Sequence, residues 1–389
     1  MIAFLGFMLG TALAPGAAPE TARELSDRAE QLYTQARYAE AEPLFRQALE
    51  AWDGLGPEAA QDRAIERRNL GALLRATGRY QEAEPLLAES LRELEATRAE
   101  PMQVERALFN LAALYRAEGD LSKAESFALR AGGLVEKRAD IPDPERQGPP
   151  LMLASIYLEE RRFTDAEALL NSALKAADGA IAVAAYDGLA TVEIARDNFA
   201  QAEAFAQQAL YFARLALPAG HPAMAATWNN LAQACRFQGK YMEAEKDYRL
   251  AIGVWEDSLG PSHPHVAEGL MNLAAFYHER GREAGAEDLY DRAAGILDRT
   301  FGKNDPRTLA ARNELAEVLR AERRYTESEK LGRATLAALE KALRPDDPRV
   351  LRARSNYARL QASKTMVGRA PRSGPGGHRG PLAGLFANR

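Results

Sequence analysis

The sequence predicts an all-α protein, built as a solenoid of about eight helix-turn-helix repeats with a capping helix at its C-terminal end. One observation behind this prediction is a short pattern that recurs eight times along the 389 residues, mostly at a spacing of 42. Another is the composition, in which Val and Ile are scarce while Ala, Leu, Glu and Arg dominate. Because sheets favour β-branched side chains and helices do not, a large β-domain is excluded.

The first helix of each repeat is expected to end at a glycine. Segments of the type Asn-Leu-Ala are followed by a glycine that lies one or two residues before an aromatic or apolar residue. These glycines are Gly78, Gly119, Gly239 and Gly281. Glycine adopts the left-handed conformation that ends a helix without steric cost. A helix that stops there and restarts within three or four residues forms an αα-hairpin, so each repeat contains two helices.

The second helix begins with the recurring pattern itself. An aromatic or apolar residue is followed three positions later by a small residue and then by an acid, as in Tyr80, Ala83 and Glu84. The small residues of the eight copies are Ala41, Ala83, Ala124, Ala166, Ala202, Ala244, Ala286 and Ser328. Small side chains at this position allow the two helices of a repeat to approach closely.

A further motif, His or Asp directly before Pro, lies at the corner between one repeat and the next. It occurs at His221, His263, Asp305 and Asp347, which are evenly spaced by one repeat length. Such a side chain accepts hydrogen bonds from the first amides of the following helix, and Pro suits the first turn. Metal binding by His263 and His265 is the alternative, and Asp at the equivalent positions favours capping.

Together these residues resemble the tetratricopeptide repeat family. Its signature is matched best by Trp228, Leu231 and Ala232, followed by Ala244 and Tyr248. The long repeat spacing and the His-Pro corner are similar to the kinesin light chain subtype. The resemblance spans about residues 20 to 363. It implies a right-handed α-solenoid whose first helices line a concave groove that binds peptides.

The repeats and the composition divide the chain into five segments. The Pro-rich break is expected to delay the next helix until after Pro150 and to bend the array. The tail contains six Gly, three Pro, five Lys or Arg and no acid, so it is expected to be disordered. The segments are 1–18, an apolar leader or anchor; 20–138, three repeats; 139–150, the break; 151–363, five repeats and the capping helix; and 364–389, the basic tail.

Residues 2–14 form an apolar run of 13. This run is too short to span a bilayer but suits the apolar region of a secretory signal peptide. We therefore expect a bacterial protein that is exported or tethered to a membrane through its N-terminus. No Lys or Arg precedes the run, so an uncleaved apolar start in a cytoplasmic protein is the alternative.

Polar residues that the packing does not use predict the binding site. In the family that the sequence resembles, the residue before the Leu-Ala pair faces the groove, and an Asn side chain there can both donate to and accept from a peptide backbone. Nearby arginines favour an acidic segment or a C-terminal carboxylate. The predicted groove residues are Arg68, Asn69, Arg75, Arg106, Asn110, Arg116, Asn229, Asn230, Gln233, Arg236 and Asn272. The alternative is that the Asn side chains mainly brace neighbouring helices.

The sequence disfavours several functions. A net charge of −5 argues against a nucleic-acid partner. The single cysteine, Cys235, excludes an intramolecular disulfide framework and a multi-cysteine metal site, and is predicted to be a buried core residue. No phosphate loop, serine hydrolase motif or dinucleotide fingerprint occurs, so we expect no catalytic residue, metal or cofactor. The function expected is a non-enzymatic adaptor that binds a protein or peptide. The alternatives are a self-assembling structural protein and a regulatory module of a separate enzyme.

Overall fold

A computed structural model describes residues 18–35, 37–136, 144–175 and 179–369. Within these residues the chain forms α-helices and two short 3₁₀ helices, Pro57–Ala59 and Pro144–Gln147, and no β-strand. The α-helices are α1 (Ala18–Thr34), α2 (Tyr38–Asp53), α3 (Ala60–Ala76), α4 (Tyr80–Ala96), α5 (Pro101–Glu118), α6 (Leu121–Val135), α7 (Gly148–Glu159), α8 (Phe163–Lys175), α9 (Gly179–Ala195), α10 (Phe199–Ala216), α11 (Pro222–Phe237), α12 (Tyr241–Leu259), α13 (Pro264–Glu279), α14 (Glu283–Phe301), α15 (Pro306–Ala321), α16 (Tyr325–Ala342) and α17 (Pro348–Arg369).

The helices pair in chain order into eight hairpins, and α17 packs on the last pair. Each second helix also contacts the first helix of the following repeat. Successive first helices also contact one another. For example, α3 contacts α5, and α5 contacts α7. The first helices therefore line the inner, concave side of the array. This architecture confirms the predicted all-α solenoid of eight repeats and a capping helix.

Small residues lie where the two helices of a repeat meet. Ala41, Ala83 and Ala124 are completely buried, and Ser328, which replaces Ala in the last copy, is 1% exposed. Gly71 is the corresponding small residue of a first helix, and a Cβ atom there would lie only 2.7 Å from the Leu87 side chain. The spacing of small residues in the sequence thus predicts where the paired helices approach closely.

The turns within the repeats have the predicted left-handed backbone. Gly78, Gly119, Gly239 and Gly281 have φ values of 77, 87, 79 and 69°. In three repeats without this glycine, Arg161, Asp197 and Arg323 adopt φ values of 63 to 64° instead. The turn geometry is therefore kept even where a side chain makes it less favourable.

The corners between repeats confirm the predicted capping role of His and Asp. The His263 Nδ1 atom accepts a hydrogen bond from the amide of His265 at 3.1 Å. The Asp305 carboxylate accepts one from the amide of Arg307 at 2.8 Å. His221 and Asp347 cap their helices in the same way. Each of these residues satisfies an amide that the helix leaves without a partner.

Two predicted boundaries differ from the structure. Helix α7 begins at Gly148, before the two prolines, because Pro in a first turn has no amide that the helix would need. Helix α17 continues to Arg369, beyond the predicted end at 363, since no Gly or Pro interrupts the chain before Gly368. Residues 1–17, 36, 137–143, 176–178 and 370–389 lie outside the described part, so the apolar leader and the disorder of the basic tail beyond Arg369 stay predictions. The division into two lobes stays a prediction, and α6 packs directly against α7. No described helix is long and apolar enough to cross a membrane.

Candidate peptide-binding groove

The concave side of the first three repeats contains a pocket of about 500 Å³. Helices α3 and α5 supply most of its wall, and α1 and α2 close one end. Five of the predicted groove residues line it together: Arg68, Asn69, Arg75, Arg106 and Asn110. We call this the arginine pocket. It also contains Glu30, Tyr33, Thr34, Phe45, Ala72, Met102, Glu105, Phe109 and Gly148.

Arg68 is the deepest cation of the arginine pocket, with 5% of its surface exposed. Its guanidinium donates to the Gln103 side chain at 2.6 Å and to the Asn69 side-chain oxygen at 3.0 Å. Asn69 in turn donates to Glu30 at 2.7 Å. This chain of hydrogen bonds fixes the orientation of both Arg68 and Asn69. Burial, together with the charge of Arg106, lowers the pKa of Arg68 to about 10, so the side chain remains charged at neutral pH.

Two other arginines of the pocket have no partner in the described part of the chain. Arg106 is exposed, and its guanidinium makes no hydrogen bond or ion pair there. Arg75 is half-buried, and its Nε atom is fully buried without a hydrogen-bond partner. A buried N–H group without a partner is costly. A bound carboxylate would satisfy it, because a planar guanidinium and a carboxylate match as hydrogen-bonding partners.

Two buried carboxyl groups lie near these arginines. Glu105 lines the pocket and Glu66 lies behind it, where its side chain accepts a hydrogen bond from Ser26 at 2.5 Å. Burial is the main cause that raises the pKa of each to about 7. Both carboxyl groups are thus partly protonated at neutral pH. The pocket therefore carries more positive charge than its count of acids and bases indicates.

Sequence comparison identifies the repeats. Tetratricopeptide repeat models match residues 20–95, 61–131, 183–223, 223–299 and 308–349, which together make up most of the chain. The chain belongs to the tetratricopeptide repeat family. The comparison with curated proteins found no match.

Several solved structures are similar to this chain. The APC/C hetero-tetramer Cut9-Hcn1 has a TM-score of 0.59 at 14% identity, covering 89% of this chain and 57% of that one. A Rap protein complexed with competence and sporulation factor has a TM-score of 0.56 at 15% identity, covering 90% and 99%. TPR-like repeats of a kinesin light chain from Podosopora anserina are 23% identical, with a TM-score of 0.41, covering 46% and 86%. At these identities the likeness to the first two structures concerns the fold.

The five predicted groove residues of the C-terminal repeats lie outside the arginine pocket, and four of them have internal partners. Asn229 is 3% exposed and accepts a hydrogen bond from Asn272 at 3.0 Å. Asn230 donates to the Asp187 side chain at 3.0 Å, and Arg236 donates to Glu279 at 2.8 Å. These contacts join neighbouring first helices, which is the bracing role that the sequence left open.

The two remaining predicted residues also lie outside the arginine pocket. Arg116 donates to Glu159 at 2.7 Å, which joins α5 to α7. Gln233 is half-buried on α11, away from the pocket. The structure thus brings together five of the six predicted groove residues of repeats two and three and leaves those of repeats six and seven apart from them.

Sequence reasoning missed the apolar and acidic lining of the pocket. Tyr33 lies one repeat length before Arg75, so the repeat spacing could have revealed it. Phe45 and Phe109 left no such signal, because aromatic residues at helical spacing also fill ordinary cores. The repeat pattern did not mark Glu105 either. A mixed lining of aromatic and charged side chains is typical of ligand sites.

Cys235 and the possible metal ligands were the other candidate groups in the sequence. Cys235 is buried, and burial raises the pKa of its thiol to about 11, which keeps it protonated. No group of three or more His, Cys, Asp or Glu side chains within the described ranges could hold a metal ion.

Proposed function

We propose that this tetratricopeptide repeat protein is a non-enzymatic adaptor that binds a peptide segment of a partner protein in its concave groove. The arginine pocket anchors an acidic side chain or a C-terminal carboxylate of that segment. The observation that carries the proposal is the convergence of three guanidinium groups on one pocket, two of which have no partner among the described residues.

Each part of the pocket has a separate role in this binding. Arg68 is held rigidly by Gln103 and Asn69 and supplies a fixed positive charge. Arg75 and Arg106 are free to form charge-assisted hydrogen bonds with the ligand. Tyr33, Phe45 and Phe109 offer apolar surface to the rest of the segment. Two proteins of similar fold are themselves in complexes, one with competence and sporulation factor and one in a hetero-tetramer.

The test compares the full-length wild type with Arg106→Glu on an array of extended peptides. The peptides differ in acidic content and in whether the C-terminus is free or amidated. Arg106 is the best position because it is exposed and holds no other side chain in place, so its replacement leaves the fold intact. Arg92→Glu is the matched control, since Arg92 is exposed on the second helix α4 and lies outside the pocket.

The wild type and Arg92→Glu are expected to bind acidic peptides equally. Arg106→Glu should bind them at least about tenfold more weakly, because a charge-assisted hydrogen bond contributes about 1.5–3 kcal/mol. Equal binding by all three proteins would refute the proposal. If the wild type binds no peptide and light scattering shows concentration-dependent self-association, the self-assembling alternative takes its place.

A further inference from the structure

Two distant parts of the solenoid contact each other. On one side are the turn after α3 and the end of α5, and on the other side are the corners before α13 and α15. We call this contact the clasp and define it by residues 76–80 and 117–118 on the first side and residues 263–264 and 301–307 on the second. Because the chain is continuous, the clasp closes repeats two to seven into a loop.

Arg307 makes the polar contacts of the clasp. Its guanidinium donates to the carbonyl oxygen of Ala117 and, at 3.2 Å, to that of Glu118. These carbonyls belong to the last turn of α5, where carbonyl groups lack helical partners and the helix dipole favours a cation. Arg307 thus satisfies acceptors that the helix itself leaves open.

Aromatic rings and a tight backbone contact complete the clasp. The Phe301 ring stacks on Tyr80 with a centroid distance of 5.6 Å, and the Arg307 guanidinium lies 3.3 Å from the Phe301 ring centroid. Gly78 has no side chain at the contact, and a Cβ atom there would lie 2.8 Å from Pro264. Glycine at this position therefore allows both the left-handed turn and the close contact with Pro264.

The capping helix α17 contains a matched residue, Arg349, that does not reach across. Asp305 holds Arg307 through two hydrogen bonds of 2.9 and 3.0 Å, and Asp347 holds Arg349 through two of 3.0 and 2.9 Å. The local geometry is the same at both corners. Among the described residues, only Arg307 of this pair donates to a distant helix. Its contact is thus a property of the closed loop and not of the repeat.

The clasp and the arginine pocket adjoin each other. Arg75 lines the pocket, and its positive charge also acts on His263 and Tyr80, which belong to the clasp. The first helices of the looped repeats lie on its inner side, so the clasp encloses the groove. Leu259, at the end of α12, also packs against the core of the first repeats, and the described helices on the two sides form no extended helix–helix interface beyond these contacts. A small contact of this kind can open without unfolding a repeat.

We propose that Arg307 is a latch that holds the solenoid as a closed loop, and that its release admits a partner segment to the groove. The second half of this proposal rests on the proposed function. The first half does not, because it concerns the conformation of the chain alone. The two halves are therefore tested by different measurements on the same set of proteins.

The conformational test uses spin labels at Gln81→Cys and Lys303→Cys, two exposed positions on opposite sides of the clasp. The background is Cys235→Ala, which removes the buried native cysteine. Arg307→Ala should lengthen and broaden the distance distribution, whereas Arg349→Ala should leave it unchanged. Circular dichroism and thermal unfolding verify that each variant is folded. A folded Arg307→Ala protein with the wild-type distribution would overturn the latch.

The binding test measures the association rate of a peptide of eight glutamates with a free C-terminus. Arg307→Ala should bind it severalfold faster than the wild type and Arg349→Ala, because the groove no longer has to open. If the distances change while the rate does not, control of access by the latch is refuted. If the peptide binds to no variant, anchoring of acidic segments in the pocket fails, and the spin-label distances still decide whether Arg307 holds the loop closed.

Discussion

The guanidinium of Arg307 donates a hydrogen bond to the carbonyl of Ala117, a residue 190 positions earlier in the chain. Most contacts in a tetratricopeptide repeat array join neighbouring repeats. This one joins repeats three and eight, beside the pocket in which arginines of repeats two and three converge. The two features place the predicted binding site and the long-range contact in one region of the molecule.

Acid should weaken the protein through His263. This residue is 4% exposed, and burial, with the charges of His265 and Arg75, lowers its pKa to about 3. The unfolded state then binds more protons, so the free energy of unfolding falls as the pH decreases from about 6.5 toward 3. His263→Asn keeps a capping acceptor and removes the titration. Between pH 6.5 and pH 4.5 it should lose about 2 kcal/mol less than the wild type in urea unfolding. Parallel losses in both proteins would contradict this.

Peptide binding should depend on pH through Glu105. The pKa of its carboxyl is raised to about 7 by burial, so the group is mostly protonated at pH 6 and mostly charged at pH 8. A negative charge in the pocket opposes an acidic ligand, and binding should weaken severalfold over this range. Glu105→Gln should remove most of the dependence and bind as the wild type does at pH 6. The measurement is a titration of an acidic peptide at each pH, and an unchanged slope in the variant would exclude this role.

Close packing at Gly71 should make even a methyl group unfavourable. The Cβ atom of Gly71→Ala would lie 2.7 Å from Leu87, and we expect a loss of about 1–3 kcal/mol of stability. Gly253→Ala is the control, because nothing lies within 4 Å of its Cβ position in the interior of α12. That variant should gain roughly 0.5–1 kcal/mol from the better helix propensity of Ala. Urea unfolding of both variants measures the difference, and equal effects would show that the helices can move apart freely.

Asp305 and Asp347 should differ in their effect on the clasp. Both cap a helix and hold an arginine, but only Arg307 continues to a distant helix among the described residues. Asn preserves the cap and weakens the hold on the arginine, because it lacks the charge and one acceptor oxygen. Asp305→Asn should therefore increase hydrogen exchange of the amides in residues 76–80, and Asp347→Asn should not. Equal exchange in both variants would show that the carboxylate of Asp305 does not position the latch.

The local parts of the fold could be predicted from the sequence because each of their motifs occurs at least four times along the chain. Gly78, His263 and Ala83 each have counterparts at the equivalent positions of other repeats, and the physical need for a left-handed turn, a cap or a small side chain recurs with them. The arginine pocket followed from the same spacing, since Asn69 and Asn110 mark equivalent positions on two adjacent first helices. Its residues were predicted to face the groove, and the structure brings five of them together.

The remaining features depend on how the repeats accumulate curvature. Arg307 and Arg349 both follow an Asp-Pro pair and form the same local hydrogen bonds, and the superhelical path distinguishes their distant contacts. Asn229 and Asn272 form a hydrogen bond with each other because adjacent first helices lie at a particular offset. The contact of Phe301 with Tyr80 has no counterpart in any other repeat pair described. The periodic pattern of the sequence therefore could not predict this contact.

Left-handed turns, caps and small residues stabilise each repeat through its neighbours, and such an array can unravel from either end. The clasp adds an interaction of high contact order, and it can form only after the intervening repeats have folded. It should therefore appear late in refolding and lie outside the folding nucleus, so that its loss mainly speeds unfolding. While it is closed, a repeat inside the loop cannot fray independently, and the middle of the chain behaves as one cooperative unit.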